Sequence, residues 1–152
     1  MGHVPEEPVR AAGEGADVQG RQRRGTPGRR DLTDPGAAKA FGDKGEALAA
    51  QWYEQHGYVV LARQWRGTRG ELDLVLAGRG RGGRSTIVFC EVKARATSRF
   101  GGPAAAVGPA KQEAVRRTAM EWLAAERPRY RAIRFDVACV VGDELAVIEA
   151  AF

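Results

Sequence analysis

From Ala40 onward the apolar residues fall into two rhythms, one helical and one extended. In the segment Ala40 to His56, Leu48 and Trp52 stand four apart, with Ala49 and Tyr53 beside them. That spacing predicts a helix whose Leu48 and Trp52 point at the core, with Gly57 as its stop. A second stripe, Val115, Ala119, Trp122 and Leu123, predicts a helix from Ala110 to Glu126, and Pro128 lies just beyond it. Five β-favouring runs surround the helices: Tyr58 to Trp65, Glu71 to Ala77, Thr86 to Ala94, Ile133 to Val141, and Glu144 to Ile148. Gly67 to Gly70 and Gly142-Asp143 read as turns, and 78–84 and 101–109 as longer loops. The expected order is αβββαββ, an α/β domain.

Charges interrupt this pattern where apolar residues belong. Gly70-Glu71-Leu72-Asp73-Leu74-Val75 and Phe89-Cys90-Glu91-Val92-Lys93 both read as buried strands that nonetheless carry acids and a lysine. Strict alternation puts Glu71, Asp73 and Val75 on one face, and Phe89, Glu91 and Lys93 on one face of the other strand. If the two strands pair, Asp73, Glu91 and Lys93 converge. Two carboxylates and a lysine at the rim of a sheet form the layout of a metal-assisted phosphodiester hydrolase. Asp73 and Glu91 are the expected ligands of Mg²⁺ or Mn²⁺, with the Val92 carbonyl as a third, because magnesium takes one or two carboxylates and completes its shell with water and phosphate oxygens. Lys93 is then the group that orients or deprotonates the attacking water, or neutralises charge on the phosphoryl oxygens. The plainer alternative is an interstrand ion pair, which is common and worth little.

Other positions add to the picture. Glu46 lies early in the first helix beside Ala49, Ala50 and Tyr53, a small-residue face that lets the helix approach the sheet and deliver an acid to the same place. Glu71 is a second carboxylate at the start of its strand. Lys111, Arg116 and Arg117 make the first half of the second helix basic, and Lys111, Arg116 and Arg95 are the candidate nucleic-acid contacts. Asp136, in Arg134-Phe135-Asp136-Val137, is expected to form a structural pair with Arg134 or a helix residue. The glycine loop 78–84 fails as a nucleotide-binding signature because a strand, not a helix, follows it. It is expected to be a mobile hairpin loop whose Arg79, Arg81 and Arg84 brush a DNA backbone. His56 is expected to cap the first helix.

Composition narrows the setting. The 152 residues carry a formal net charge of +5, which favours a polyanionic partner, chiefly DNA. Residues 1–38 are rich in Gly, Pro and Arg and hold few large aliphatics, so they are expected to be a disordered tail preceding one domain over 39–152. The alternative for the tail is a sequence-blind DNA tether. The two cysteines, Cys90 and Cys139, sit in apolar runs and are expected to be buried free thiols, consistent with a cytoplasmic location. No apolar run is long enough to span a bilayer, so no membrane association is expected.

Taken in order, Gly42-x-x-Gly45-Glu46, Gly70-Glu71-Leu72-Asp73-Leu74, Phe89-Cys90-Glu91-Val92-Lys93-Ala94-Arg95, Lys111, Arg134-Phe135-Asp136-Val137 and Ala151-Phe152 resemble the bacterial YraN-like family. The resemblance runs from Phe41 to Phe152. That family is similar to the PD-(D/E)xK nucleases and, in layout, to archaeal Holliday-junction resolvases. The resemblance implies a restriction-endonuclease-like fold with a central mixed five-stranded sheet flanked by helices. It also implies Asp73 as the motif aspartate, Glu91 and Lys93 as the E-x-K pair, and Glu46 as an additional helix acid. Leu72 stands where the motif has proline. Nucleases of this kind often cut both strands as homodimers. The expected function is metal-dependent hydrolysis of DNA, including branched DNA. The alternative is a non-cleaving nucleic-acid-binding module on the same fold.

Overall fold

The computed structural model describes residues 34–95 and 107–152. Its elements, in chain order, are α1 (Pro35–Gln55), β1 (Val59–Arg66), β2 (Glu71–Arg79), β3 (Ser85–Arg95), α2 (Pro109–Glu126), β4 (Ala132–Val141) and β5 (Glu144–Ile148). The αβββαββ order is the one the sequence pattern predicts. The expected tail up to residue 33 and most of the expected 101–109 loop lie outside the described residues.

Helix α1 starts at Pro35 and not at Ala40, so residues 35–38 belong to the helix and not to the tail. Asp34 explains the earlier start: its carboxylate accepts from the amides of Gly36 (3.4 Å) and Ala37 (3.1 Å), and proline suits the first helical position. At the other end His56 caps the helix, with Nδ1 2.7 Å from the Trp52 carbonyl and its ring stacked on Trp52. The residues α1 buries are Gly45, Ala49, Ala50 and Tyr53, whereas Leu48 and Trp52 are only half-buried. Close packing overrides hydrophobic ranking here. A Cβ at Gly45 would stand 2.9 Å from that of Ala94, so the helix can lie this near β3 only with glycine there.

The five strands form one mixed sheet in the order β1-β2-β3-β4-β5. All neighbours are antiparallel except β3 and β4, which run parallel and are joined through α2. The helices cover opposite faces. Ala49, Ala50, Tyr53 and Tyr58 pack on Leu74, Leu76, Val88, Cys90 and Ala138 on the α1 side. On the α2 side, Val115, Ala119, Trp122 and Leu123 pack on Leu72, Val75, Ile87, Phe89 and Phe135. Mixed sheet, flanking helices and element order together are consistent with a restriction-endonuclease-like fold.

The 78–84 loop is the expected hairpin connection: Gly80 and Arg84 share a backbone bond of 2.8 Å, and Arg79 donates to the Gly83 carbonyl at 3.1 Å. One further expectation changes. Of the two free cysteines, Cys90 is buried, while Cys139 is half-exposed because it lies near the end of β4, beside Lys93 of β3.

Candidate active site

Strict alternation holds along β3 but breaks in β2. Phe89 faces α2, and Glu91 and Lys93 follow it on that side, while Cys90 and Val92 face α1. In β2, Leu72 and Val75 both pack on the α2 side although they are three apart, and Leu74 and Leu76 pack on the α1 side. Asp73 therefore does not follow the simple alternation that the sequence suggested; it occupies the break itself, one step beyond the Leu74–Cys90 pair. The β2–β3 pairing ends at Leu74 and Cys90, and beyond it the Val92 amide donates to Asp73 Oδ2 at 2.7 Å. The Asp73 carboxylate takes up a backbone donor at the point where the two strands part.

Glu91 is 3% exposed. Its Oε1 accepts from Lys93 Nζ at 2.9 Å and pairs with Lys111 Nζ at 3.2 Å. Its Oε2 is buried and has no hydrogen-bond partner. Lys111 lies in the first turn of α2, which begins at Gly108-Pro109, and the crossover carries it back to β3. Burial, then the nearby Glu91 charge, pushes the Asp73 carboxyl up to about 6, and the bond from the Val92 amide opposes this. Glu46 and Lys111 also act electrostatically on Asp73. Four expected residues, Asp73, Glu91, Lys93 and Lys111, thus form one cluster, and Glu46 is linked to it through its charge on Asp73.

Glu46 is joined to the sheet by a residue that sequence reasoning passed over. Gln64 Nε2 donates to both Glu46 oxygens, at 3.2 and 3.1 Å, and to Asp43 Oδ1 at 3.4 Å. Burial raises the Glu46 pKa, and the Gln64 bond holds it back. No motif marks Gln64; the one sequence signal is a polar pair, Arg63-Gln64, inside a strand-like run.

Other candidates go elsewhere. Glu71 pairs with Arg66 Nε at 2.9 Å on the exposed rim. Arg116 lies over the rings of Phe135 and Phe152, at 5.6 and 5.3 Å. Arg95 ends β3 and is exposed. Asp136 is wholly buried on the α1 side, where it accepts from Tyr53, Arg134 and the Ala150 amide; it is the structural pair expected. Across the β1–β2 turn, Glu121 of α2 accepts from the Thr68 amide (2.6 Å) and hydroxyl (2.8 Å). Beside this clasp is a cleft of about 670 Å³ lined by Thr68, Arg69, Arg117, Met120 and Glu121.

Asp73 and Glu91 are the residues that could hold a hard divalent cation. The donor set consists of two carboxylates, Asp73, which also takes the Val92 amide, and Glu91, which has an orphaned buried oxygen. Among the described residues no group of three or more His, Cys, Asp or Glu side chains is gathered for a metal ion. A magnesium-type ion, which fills most of its shell with water and substrate oxygens, does not need one. Among the described residues no helix is long and apolar enough to cross a membrane.

The sequence has close counterparts. The profile of the uncharacterised protein family UPF0102 matches residues 45–140. A UPF0102 protein of Bifidobacterium longum subsp. infantis is 42% identical over 116 residues, covering 75% of this chain and 87% of that one. A UPF0102 protein of Mycolicibacterium vanbaalenii is 44% identical over 109 residues, covering 72% and 86%. Another from Geobacter metallireducens is 42% identical over 99 residues, covering 65% and 77%. The matched span holds Glu46, Asp73, Glu91, Lys93 and Lys111, and by this match the chain belongs to the UPF0102 family, the YraN-like proteins that its motifs resemble.

Proposed function

We propose that this protein is a divalent-metal-dependent nuclease that hydrolyses phosphodiester bonds in DNA. The observation that carries the reading is the buried, unpartnered Glu91 Oε2 beside an Asp73 whose pKa is raised. An unsatisfied buried acceptor costs about 1–3 kcal/mol, and more when charged, so a fold that keeps one has a use for it. A cation held by Asp73, Glu91 and the Val92 carbonyl would relieve both the orphaned oxygen and the repulsion between the acids. When bound, such an ion polarises a phosphoryl oxygen and makes water a better nucleophile at neutral pH.

The chain's own residues supply the rest. Lys93 Nζ, 2.9 Å from Glu91, is within reach of a water or phosphoryl oxygen at the same carboxylate and offsets charge that develops there. Lys111 brings a second ammonium to Glu91 and anchors the start of α2 to the site. Glu46, with its raised pKa, holds a proton to higher pH than an ordinary glutamate. The net charge of +5 and the Arg69–Arg117 cleft favour a polyanion, and the resemblance to archaeal junction resolvases makes branched DNA the first substrate to test.

The test is cleavage of labelled four-way junction, flap, single-stranded and duplex DNA with Mg²⁺ or Mn²⁺, with Asp73→Ala and Lys93→Ala in parallel. Metal-dependent cleavage lost in both variants is the expected result. DNA binding without cleavage in the wild type overturns it in favour of a non-cutting module.

A further inference from the structure

Among the described residues, Gln64 is the one residue within a strand whose backbone turns left-handed, at φ 46°. Glutamine has no ordinary reason to adopt that conformation, which costs about 1–2 kcal/mol in a residue with a Cβ. Its place in the ladder is specific. Arg63 pairs with Leu74 and Trp65 with Leu72, which leaves Gln64 opposite Asp73 and out of the pairing. Ala62 and Trp65 both pack on the α2-side core although they are three apart, as Leu72 and Val75 are across from them. The two strands break their alternation together, one at Gln64 and the other at Asp73.

This shared break serves two side chains. On β2 it releases Asp73 to take the Val92 amide. On β1 it turns the Gln64 amide toward α1, where it grips both oxygens of Glu46 and one of Asp43. The same residues, with Lys39 and Arg63, line a cavity of about 300 Å³. From this geometry we infer that Gln64 is a positioning residue, held in a strained backbone so that its amide fixes the Glu46 carboxylate for the metal-dependent site. This rests on the nuclease reading, with Glu46 acting at the same cation site as Asp73 and Glu91. Glu46 needs such a guide because it stands on a helix, separate from the sheet that carries the other acids. Its charge already acts on Asp73.

A residue that only shaped β1 would be improved by glycine, which adopts positive φ without strain. A residue that positions Glu46 would not. The experiment therefore compares wild type, Gln64→Gly, Glu46→Gln and the double variant. Mn²⁺ alone is titrated by calorimetry, and cleavage is measured with kcat and KM separated. Gln64→Gly is expected to melt at or above the wild-type temperature, yet to bind Mn²⁺ and turn over about 10-fold more weakly, the scale typical of lost support to a metal-site residue. KM for DNA is expected to hold. In the Glu46→Gln background, adding Gln64→Gly is expected to change nothing further, since its effect passes through Glu46. Unchanged Mn²⁺ affinity in Gln64→Gly, or additive losses in the double variant, overturns the assignment. So does a crystal structure of Gln64→Gly with Glu46 unmoved. A wild type that binds Mn²⁺ without cutting DNA sinks the nuclease reading alone and leaves the Mn²⁺ comparison to decide the role of Gln64.

Discussion

The Tyr53 hydroxyl donates to the Asp136 carboxylate at 2.7 Å, across the interface between α1 and β4, and neither residue has exposed surface. Burial pushes the tyrosine pKa far above its ordinary range, so the hydroxyl stays a donor. Asp136 also takes both Nε (2.8 Å) and a terminal nitrogen (2.7 Å) of Arg134, along with the Ala150 amide (3.0 Å). Removing the acid leaves Arg134 a half-buried cation without its main partner. Asp136→Ala is expected to lose about 3–5 kcal/mol, and Tyr53→Phe about 1–3 kcal/mol, in urea unfolding. A loss under 1 kcal/mol in Asp136→Ala would show that the network is not a structural centre.

The raised Asp73 pKa, about 6 against an ordinary 3.8, makes stability pH-dependent. The folded chain binds this proton more tightly than the unfolded chain. Asp73 therefore costs stability that is fully present above pH 6 and is relieved as pH falls toward 4. Asp73→Asn keeps an acceptor for the Val92 amide and removes the charge. It is expected to be more stable than wild type at pH 7.5 by about 1–2 kcal/mol, less than the full shift because the group is partly exposed. The advantage should vanish by pH 4; one that is constant with pH would rule out the ionised carboxylate as its source.

Cation binding to the folded chain should add stability by mass action, about 2.7 kcal/mol at a hundredfold excess over Kd. Thermal melts with Mg²⁺ or Mn²⁺ are expected to shift upward for wild type and to stay put for Asp73→Asn and Glu91→Gln. Equal shifts in all three would place the ion elsewhere.

Glu121 holds the β1–β2 turn through Thr68, and a Cβ at Gly67 would stand 2.8 Å from the Trp65 ring and crowd the Glu121 carboxylate. Glu121→Ala is expected to speed amide exchange over 67–70 while sparing β3 and β4, read by hydrogen exchange. Protection unchanged in that turn would mean that the clasp holds nothing.

Arg69 and Arg117 line the cleft beside that turn. Replacing either with alanine is expected to weaken DNA binding on every sequence alike and to lower the salt slope by about 1. An unchanged slope would remove the cleft from the DNA path.

The order of elements was legible because turn signals separate runs of clearly different period. Asp34-Pro35 marks the start of α1, but it lies several residues ahead of the apolar stripe, where periodicity carries no signal. Leu48 and Trp52 misled because size and hydrophobicity rank above Gly45 and Ala49 on any scale, whereas closeness to Ala94 selects the small residues. Asp73, Glu91 and Lys93 stood out as charges within greasy strands. The break at Asp73 could not be read, because it depends on the backbone of Gln64 on a neighbouring strand. Nor could the Lys111–Glu91 pair, which exists only once the crossover has closed.

That crossover has a consequence for how the chain assembles. Asp73 and Glu91 are brought together by a hairpin, the local kind of contact that forms early. Lys111 arrives only when α2 has folded back and β4 has docked in parallel on β3, a contact between distant parts of the chain. In that order of assembly the acids would meet beside Lys93 before Lys111 reaches Glu91, and their repulsion would act as an electrostatic brake until the later half of the chain is in place. Mild acid, or a divalent cation present during refolding, is expected to release that brake and quicken the collapse of the sheet.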